Sequence, residues 1–256
     1  MSTLPDLCLS SARLRVRNFR VADAEELAVC TASAAEHIRE WIAWGWNEPQ
    51  SVAEKRSLIG GFESNRQLAG DSYCGIWLRE PANRLIGGVG LHPRGGALPP
   101  GHVELGYWLH PEATGQGLAS EATALLTRAA FAVFGYETVE LRIRPDNDKS
   151  RALAERLGFC WSERIEGVID TGLPGKPWDA ADVFLLGRER FARTAGARVA
   201  AALESAPVAH RANAFAALGP ALPSTGGPKS SAGLPESGAD GARVATRPSS
   251  TAPPPR

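Results

Sequence analysis

Short runs in which apolar and polar residues alternate are interleaved along this chain with longer runs whose apolar positions recur every three or four residues. Leu14-Arg15-Val16-Arg17 has the period of two expected of a half-buried strand. Residues 22–34 read as a helix, with Asp23, Glu25 and Glu26 near its positive end, and another helix is predicted over 51–66. Two apolar runs, 73–78 and 85–91, are joined by Arg79-Glu80-Pro81-Ala82-Asn83-Arg84, which predicts an antiparallel hairpin. A strand is predicted over 103–109. Over 120–134, Ala122, Leu125, Leu126, Ala129 and Val133 share one helical face, and Gly135 stands where a C-terminal glycine belongs. Over 138–144, Val139, Leu141 and Ile143 point one way and Glu140, Arg142 and Arg144 the other. A short helix over 149–157 is closed by Gly158, and strands over 159–169 and 181–186 end the pattern. Elements of these kinds in this order predict an α/β (α+β) domain with a mixed, largely antiparallel central sheet flanked by helices.

Composition changes near residue 192. From Arg193 onward Ala, Pro, Ser and Gly dominate and the chain ends STAPPPR. Too few large apolar residues occur there to offset the entropy of ordering, so 1–192 is read as one domain and 193–256 as a mostly disordered tail. An Ala- and Arg-rich helix over 188–204 is expected at the junction. Across the chain, 28 basic and 28 acidic side chains cancel. Seven basic and three acidic groups lie in 193–256, leaving 21 and 25 for residues 1–192. A mildly acidic body suits a cationic acceptor and lacks the basic footprint that nucleic-acid binding demands.

No run approaches the ~18–20 apolar residues that span a bilayer, and the N-terminus lacks a basic start followed by an apolar run, so neither a membrane span nor a secretory leader is expected. Cys8, Cys30, Cys74 and Cys160 form no C-x-x-C pair, which points away from a zinc site or a disulfide framework and toward the cytoplasm. Cys160, after Gly158 and Phe159, is read as a buried thiol rather than a nucleophile. His37, His92, His102 and His110 show no ligand spacing, so no metal is expected.

The segment richest in chemistry is strand, loop, helix: GHVELGYWLHPEATGQGLASEATALL. Gly115-Gln116-Gly117-Leu118-Ala119 separates an apolar strand from an amphipathic helix. Glycines let main-chain N–H groups converge, and with the helix's positive end they make an anion site suited to a pyrophosphate. The same turn also serves simply to begin a helix. A Walker A loop would need Gly-Lys-Ser/Thr, whereas Leu118 and Ala119 follow Gly117. A Rossmann fingerprint would need three spaced glycines in a parallel unit, whereas this loop follows a hairpin.

The runs ELGYWLHPEATGQGLASEA and RIRPDNDKSRALAERLGF resemble the GNAT superfamily of acetyl-CoA-dependent N-acetyltransferases, and look most like its RimJ/RimL branch, which acetylates protein N-termini among other amines. ARLRVRNFRVADAEEL and YCGIWLREPANRLIGGVGLHP are similar to that branch's opening, so the resemblance spans roughly residues 12–186. The family's Arg/Gln-x-x-Gly-x-Gly/Ala loop departs here at one place, where Thr114 replaces the long polar residue. The resemblance implies that the main chain of Trp108, Leu109 and His110 pairs with the pantetheine arm, and that Thr114, Gly115, Gln116, Gly117, Leu118, Ala119 and Ser120 border the pyrophosphate. Asn147 and Ser150 match the family's N-x-x-S motif near the sulfur. The family's strand commonly splays from its neighbour there. Glu104 sits where the family often places its base or proton relay; an ordinary strand glutamate paired with a neighbour is the other reading. Ser150 is the candidate for protonating the thiolate, or else a helix cap or a cofactor contact, and a main-chain N–H near Tyr107 is the candidate for polarising the carbonyl. Trp41, Trp44 and Trp46 border the acceptor pocket or belong to helix packing.

Acetyl transfer requires a neutral amine. An unperturbed α-amine titrates near ~8, so about one in ten is neutral at pH 7, a deficit of about 1.4 kcal/mol; a lysine near ~10.4 faces about 4.6 kcal/mol. The expected acceptor is therefore a protein or peptide N-terminus, the alternatives being an aminoglycoside, polyamine or other small amine, or no acceptor at all in a regulatory module that only binds acetyl-CoA. An acidic acceptor pocket would favour an aminoglycoside or polyamine. A monomer or homodimer is expected.

Overall fold

The computed structural model describes residues 6–68, 70–80, 83–173, 175–194 and 197. Its strands are β1 (Cys8–Ser10), β2 (Leu14–Asn18), β3 (Ser72–Leu78), β4 (Arg84–His92), β5 (His102–Leu109), β6 (Thr138–Ile143), β7 (Cys160–Leu173) and β8 (Lys176–Gly187). Its helices are α1 (Ala24–Ser33), α2 (Ala35–Trp41), α3 (Val52–Leu68), α4 (Leu118–Ala132), α5 (Asp148–Leu157) and α6 (Arg188–Phe191). The strands form one sheet in the order β1-β2-β3-β4-β5-β6-β8-β7. Every neighbouring pair is antiparallel except β5 with β6. The mixed, largely antiparallel sheet flanked by helices is therefore as expected.

Alternation explains the two faces. Leu14, Val16, Ile76, Leu91, Val103 and Leu105 point to the side covered by α4, where Leu118, Ala122, Leu126 and Ala130 complete the larger core. Ala24, Leu27, Cys30 and Ile59, from α1 and α3, cover Trp77 and Leu85 on the opposite side. One extra residue sets what lies between. Ile76 opposes Gly87 but Trp77 opposes Leu85, so Ile86 bulges out of the β3–β4 ladder. A bulge reverses which residues face which side. After it, Gly88, Gly90 and His92 share the face of Trp77 instead of Val89 and Leu91.

Helix ends follow local chemistry. Gly117, at φ 74°, is the N-cap of α4, which starts two residues earlier than the pattern predicts. Asn147 caps α5, its Oδ1 accepting the Ser150 N–H at 3.0 Å, and Gly158 closes that helix at φ 93°.

Two elements escaped the periodicity and two others run longer than it predicts. β1 is only three residues long, α2 follows α1 after the single residue Ala34, and β7 and β8 extend to a hairpin turn after Leu173. Most β7 side chains are exposed, so no apolar period marks how far that strand runs. Cys160 is exposed, contrary to the buried thiol expected, while burial pushes the thiols of Cys30 and Cys74 up to about 12. The expected tail, 193–256, lies outside the described residues apart from 193, 194 and 197; of the expected helix over 188–204, α6 is described, with Phe191 buried against Phe131 at a ring separation of 5.4 Å. No helix among the described residues is long and apolar enough to cross a membrane.

Candidate active site

β5 and β6 run side by side for only three residue pairs, ending at Glu104 and Glu140. Beyond that point each strand continues alone, so the sheet opens in its middle. The N–H of His110 donates to the carbonyl of Ile86 at 2.8 Å, and Leu109 faces Gly87 in the ladder. Hydrogen bonding alternates along an antiparallel pair. Even-numbered residues of β5 are thus bonded to β4, and Leu105, Tyr107 and Leu109 turn their main-chain groups toward the opening. This corrects the expectation for Trp108, Leu109 and His110. Of the three, Leu109 alone offers its main chain there; that of Trp108 and His110 belongs to the β4 side. The His110 ring caps the next turn through Nδ1, which accepts from Glu112 N–H at 3.3 Å.

At the end of β5 the chain enters the loop 114–117. Gly115 and Gly117 both have φ 74°, a conformation most residues avoid. Among the described residues, no protein acceptor takes the N–H groups of 115–120; the first bond back into α4 is from Glu121 N–H to Gly117 carbonyl at 3.1 Å. The loop is held from outside. Glu121, buried in the first turn, accepts from Ser11 Oγ and from Arg13 Nε at 2.8 Å and Nη2 at 2.5 Å. Arg13 Nη1 also donates to the Gln116 carbonyl at 3.0 Å, and Gln116 Nε2 to the Glu112 carbonyl at 2.8 Å. Thr114 Oγ1 donates to the Pro111 carbonyl at 2.8 Å and so serves the turn. Arg13, from the far end of the sequence, places a guanidinium beside the loop where the shortened Thr114 cannot. These donors, the helix end and the cation fit a pyrophosphate.

A continuous cleft of about 1160 Å³ runs from this loop through the opening to the far side of the sheet. Its floor is glycine. Gly75 pairs with Gly88, and Gly90 with Gly106, so four neighbouring positions on three strands carry no side chain. Rings occupy the space instead. A Cβ on Gly88 would meet Trp108 Nε1 at 2.5 Å, and one on Gly75 would meet the Trp77 ring at 2.4 Å. Trp44 stands edge-on to Trp108 with centroids 5.7 Å apart, and Trp41 also lines the cleft, beneath the Arg144 guanidinium at 5.3 Å. Trp46 does not. Its Nε1 donates to the Thr171 carbonyl at 3.1 Å and its ring packs on Gly172, so it fastens the cleft's rim to β7. One wall contains the buried pair of Lys55 and Glu48, whose Oε2 also accepts from Thr31 Oγ1 at 3.0 Å and Gln50 N–H at 3.1 Å.

Glu104 stands at the point where β5 leaves β6, and both of its oxygens are engaged. Arg94 donates from Nε to Oε2 at 2.9 Å and from Nη2 to Oε1 at 2.5 Å. Arg142 Nε is 3.5 Å from Oε2 and bonds Glu140 at 2.6 Å. An amine reaching Glu104 therefore meets an ion pair rather than a free carboxylate. Arg94 itself sits at φ 57°, a strained conformation outside glycine, and Glu104 lifts the guanidinium's pKa further above its ordinary value. The Tyr107 hydroxyl, on the α5 side of the opening, donates to Ser150 Oγ at 3.0 Å. Burial raises this phenol's pKa although Ser150 counteracts it, so it remains an O–H donor at neutral pH. Sequence reasoning placed only the Tyr107 main chain in the site. Its side chain, Arg13 and Arg94 went unnoticed; the run LIGGVGLH, with glycines two apart, was the one available signal of the cleft floor.

A family described as the acetyltransferase (GNAT) domain matches residues 13–160. YoaA of Bacillus subtilis (strain 168), described as an uncharacterized N-acetyltransferase, is 27% identical over 175 residues, 67% of this chain and 92% of its own. Among solved structures, Mycobacterium smegmatis RimJ in complex with CoA-disulfide is similar with a TM-score of 0.63 at 21% identity, over 78% of this chain and 94% of its own. RimL, a ribosomal L7/L12 alpha-N-protein acetyltransferase in complex with coenzyme A, is similar with a TM-score of 0.61 at 18% identity, over 71% and 98%. At such identities the two structures attest the fold alone. With more than half of its length matched by the family, and with the donor loop and the parted strands in place, this chain belongs to the GNAT acetyltransferases.

Proposed function

We propose that the protein transfers the acetyl group of acetyl-CoA to the α-amino group of a protein or peptide, with residues 1–192 as the catalytic domain. One observation carries this: the strands part between a loop with six free N–H donors and a cleft floored by glycine. A long, flexible thioester ligand anchored at residues 115–120 can run along the open edge of β5, bonding Tyr107 and Leu109, and present its acyl carbon at Gly106. The Tyr107 N–H then lies on the carbonyl-oxygen side, where it would stabilise the charge that develops on attack. Ser150, polarised by the Tyr107 hydroxyl, gives a proton to the departing thiolate. Glu104 contributes charge at the cleft's end and, through Arg94 and Arg142, fixes its shape. Most of the acceleration comes from holding the two reactants together.

The N-terminal acceptor is favoured over a polycation by the cleft's own charges. The lining of the whole cleft, donor loop included, has Lys55, Arg94, Arg142, Arg144, Lys149 and Arg156 but only Glu48, Glu104 and Asp170 as acids, of which Glu48 and Glu104 are already paired with Lys55 and Arg94, so it is not the acidic pocket that an aminoglycoside or polyamine needs. The α-amine is also easier to deprotonate than lysine by about 3 kcal/mol, and the similar RimL carries an α-N-protein acceptor in its description. Thiol release should be measured with acetyl-CoA and peptides bearing a free N-terminus, blocked peptides containing lysine, spermidine and an aminoglycoside. Release with free N-termini is expected. Release with the other amines alone would overturn the acceptor class, and binding without release for every amine would indicate a regulatory module.

A further inference from the structure

We infer that His92, held by Asp71, is the group that takes the proton from the acceptor amine. The inference rests on the acetyltransferase reading above and names a residue that it leaves open. His92 is the last residue of β4 and stands directly across the ladder from Glu104. Its Nδ1 lies 2.9 Å from Asp71 Oδ1. A carboxylate can only accept, so Nδ1 carries the hydrogen and Nε2 its lone pair. The two side chains are mostly buried, at 15% and 19% exposure, and the Tyr73 ring packs on the imidazole with centroids 4.9 Å apart. The ring is therefore fixed in orientation as well as in tautomer.

That orientation points into the cleft. A Cβ on Gly90 would stand 2.7 Å from Nε2, and one on Gly106 would stand 4.0 Å from it. The imidazole thus lies across the glycine floor toward Gly106, two residues past the last β5–β6 pair at Glu104. Among the described residues Nε2 has no protein hydrogen-bond partner. Glu104, one position across, has both oxygens on Arg94. Of the two basic groups at the end of the cleft, His92 holds the available lone pair. The bulge at Ile86 decides this placement, since without it His92 would face α4.

The step balances as follows. The acceptor ammonium gives one proton to His92 Nε2, and the freed nitrogen lone pair attacks the thioester carbonyl carbon, forming the C–N bond. Collapse of the adduct breaks the C–S bond. The sulfur takes a proton from Ser150, which recovers one through the Tyr107 hydroxyl from solvent, while the new amide nitrogen sheds its second proton to water. The imidazolium then returns its proton to solvent. Asp71 acts through His92 and is a positioning residue.

The charged and titratable groups facing His92 are Asp71 before β3, Tyr73 on β3, Arg94 after β4 and Glu104 on β5. The test is kcat against pH from 5.5 to 9, at saturating acetyl-CoA and amine, for the wild type, His92→Gln, Asp71→Asn and Glu104→Gln, with thermal melting of each. The wild type should show a limb that falls toward acid pH. His92→Gln should lose about a hundredfold in kcat and lose that limb, with the KM for acetyl-CoA within twofold. Asp71→Asn should keep a limb but displace it and lose about tenfold. If His92→Gln melts like the wild type and retains both kcat and limb, while Glu104→Gln loses them, Glu104 is the base and the inference fails alone. If His92→Gln melts early, Asp71→Asn decides: an undisplaced limb at wild-type kcat also overturns it. Absence of transfer by the wild type overturns this inference together with the function proposed.

Discussion

Replacing Tyr107 by Phe removes one oxygen and leaves the ring's packing in place. The lost hydrogen bond, 3.0 Å to Ser150 Oγ, joins two neutral groups, so its net worth to stability is about 1 kcal/mol. For a domain of this size that is a drop in Tm of about 2–4 °C. The effect on turnover should be larger. Ser150 is held by its main chain, through the N–H to Asn147 Oδ1, but its hydroxyl is oriented by Tyr107 alone among these contacts. Without that donor the serine must protonate a thiolate unassisted. The low end of general-acid effects, about a hundredfold or 2.7 kcal/mol in kcat, is expected, with the KM for acetyl-CoA within twofold. The deficit should also depend on pH in a particular direction. Burial holds the phenol's pKa above its ordinary 10, so the wild-type donor stays protonated through pH 9. A free thiol titrates near ~8.5, so above that pH the leaving group no longer needs a proton and the variant should recover toward the wild type. Continuous capture of released thiol between pH 6.5 and 9.5 measures this. Ser150→Ala and the double variant should lose nearly the same amount, because the two hydroxyls act in series. Multiplicative losses, or a deficit carried by KM and flat in pH, would refute the relay.

Gly117→Ala puts a side chain at φ 74°, while its Cβ would meet Arg13 Nη2 at an ordinary 3.8 Å; the penalty is thus backbone strain of about 1–2 kcal/mol, and acetyl-CoA affinity by titration calorimetry should fall severalfold as the loop donors re-aim. Lys55→Met strands the buried Glu48 carboxylate, so unfolding in urea should show about 3–5 kcal/mol of destabilisation, most of it recovered in Lys55→Met/Glu48→Gln. Asp23 is pushed up by burial, but Arg17 outweighs this with bonds of 2.7 and 2.8 Å and, aided by the Arg20 N–H, lowers its pKa below 3.8. That stability is present above the ordinary aspartate value and lost as pH falls through the lower folded one, so Asp23→Asn should flatten the acid limb of a Tm–pH curve below about pH 4.

Periodicity was enough to find most strands and helices here because α4 and the strands it covers bury one face each, as Val139, Leu141 and Ile143 show against Glu140, Arg142 and Arg144. It missed β1 and α2, ended β7 at 169 although mostly exposed side chains carry that strand on to Leu173, and could not reveal the bulge at Ile86, which is a property of the β3–β4 register. That bulge is what turns three residues of LIGGVGLH into the cleft. The donor loop was legible because glycine at φ 74° leaves a chemical trace in the sequence. Arg13 and Arg94 were not, since each acts on a partner brought near by the fold: Glu121 is 108 positions away from Arg13, and Arg94 meets Glu104 across a turn. Trp46 shares its local sequence with Trp41 and Trp44 yet faces β7, because the turn over 43–47 rotates it away.

The amide resonances of residues 115–120, followed by ¹⁵N-edited spectra as acetyl-CoA is added, test most directly whether this loop grips a diphosphate. Saturable downfield shifts there, with Tyr107 and Leu109 moving at the same ligand concentration, are what the structure predicts. Binding that leaves those eight amides in place, or no binding at all, would contradict it.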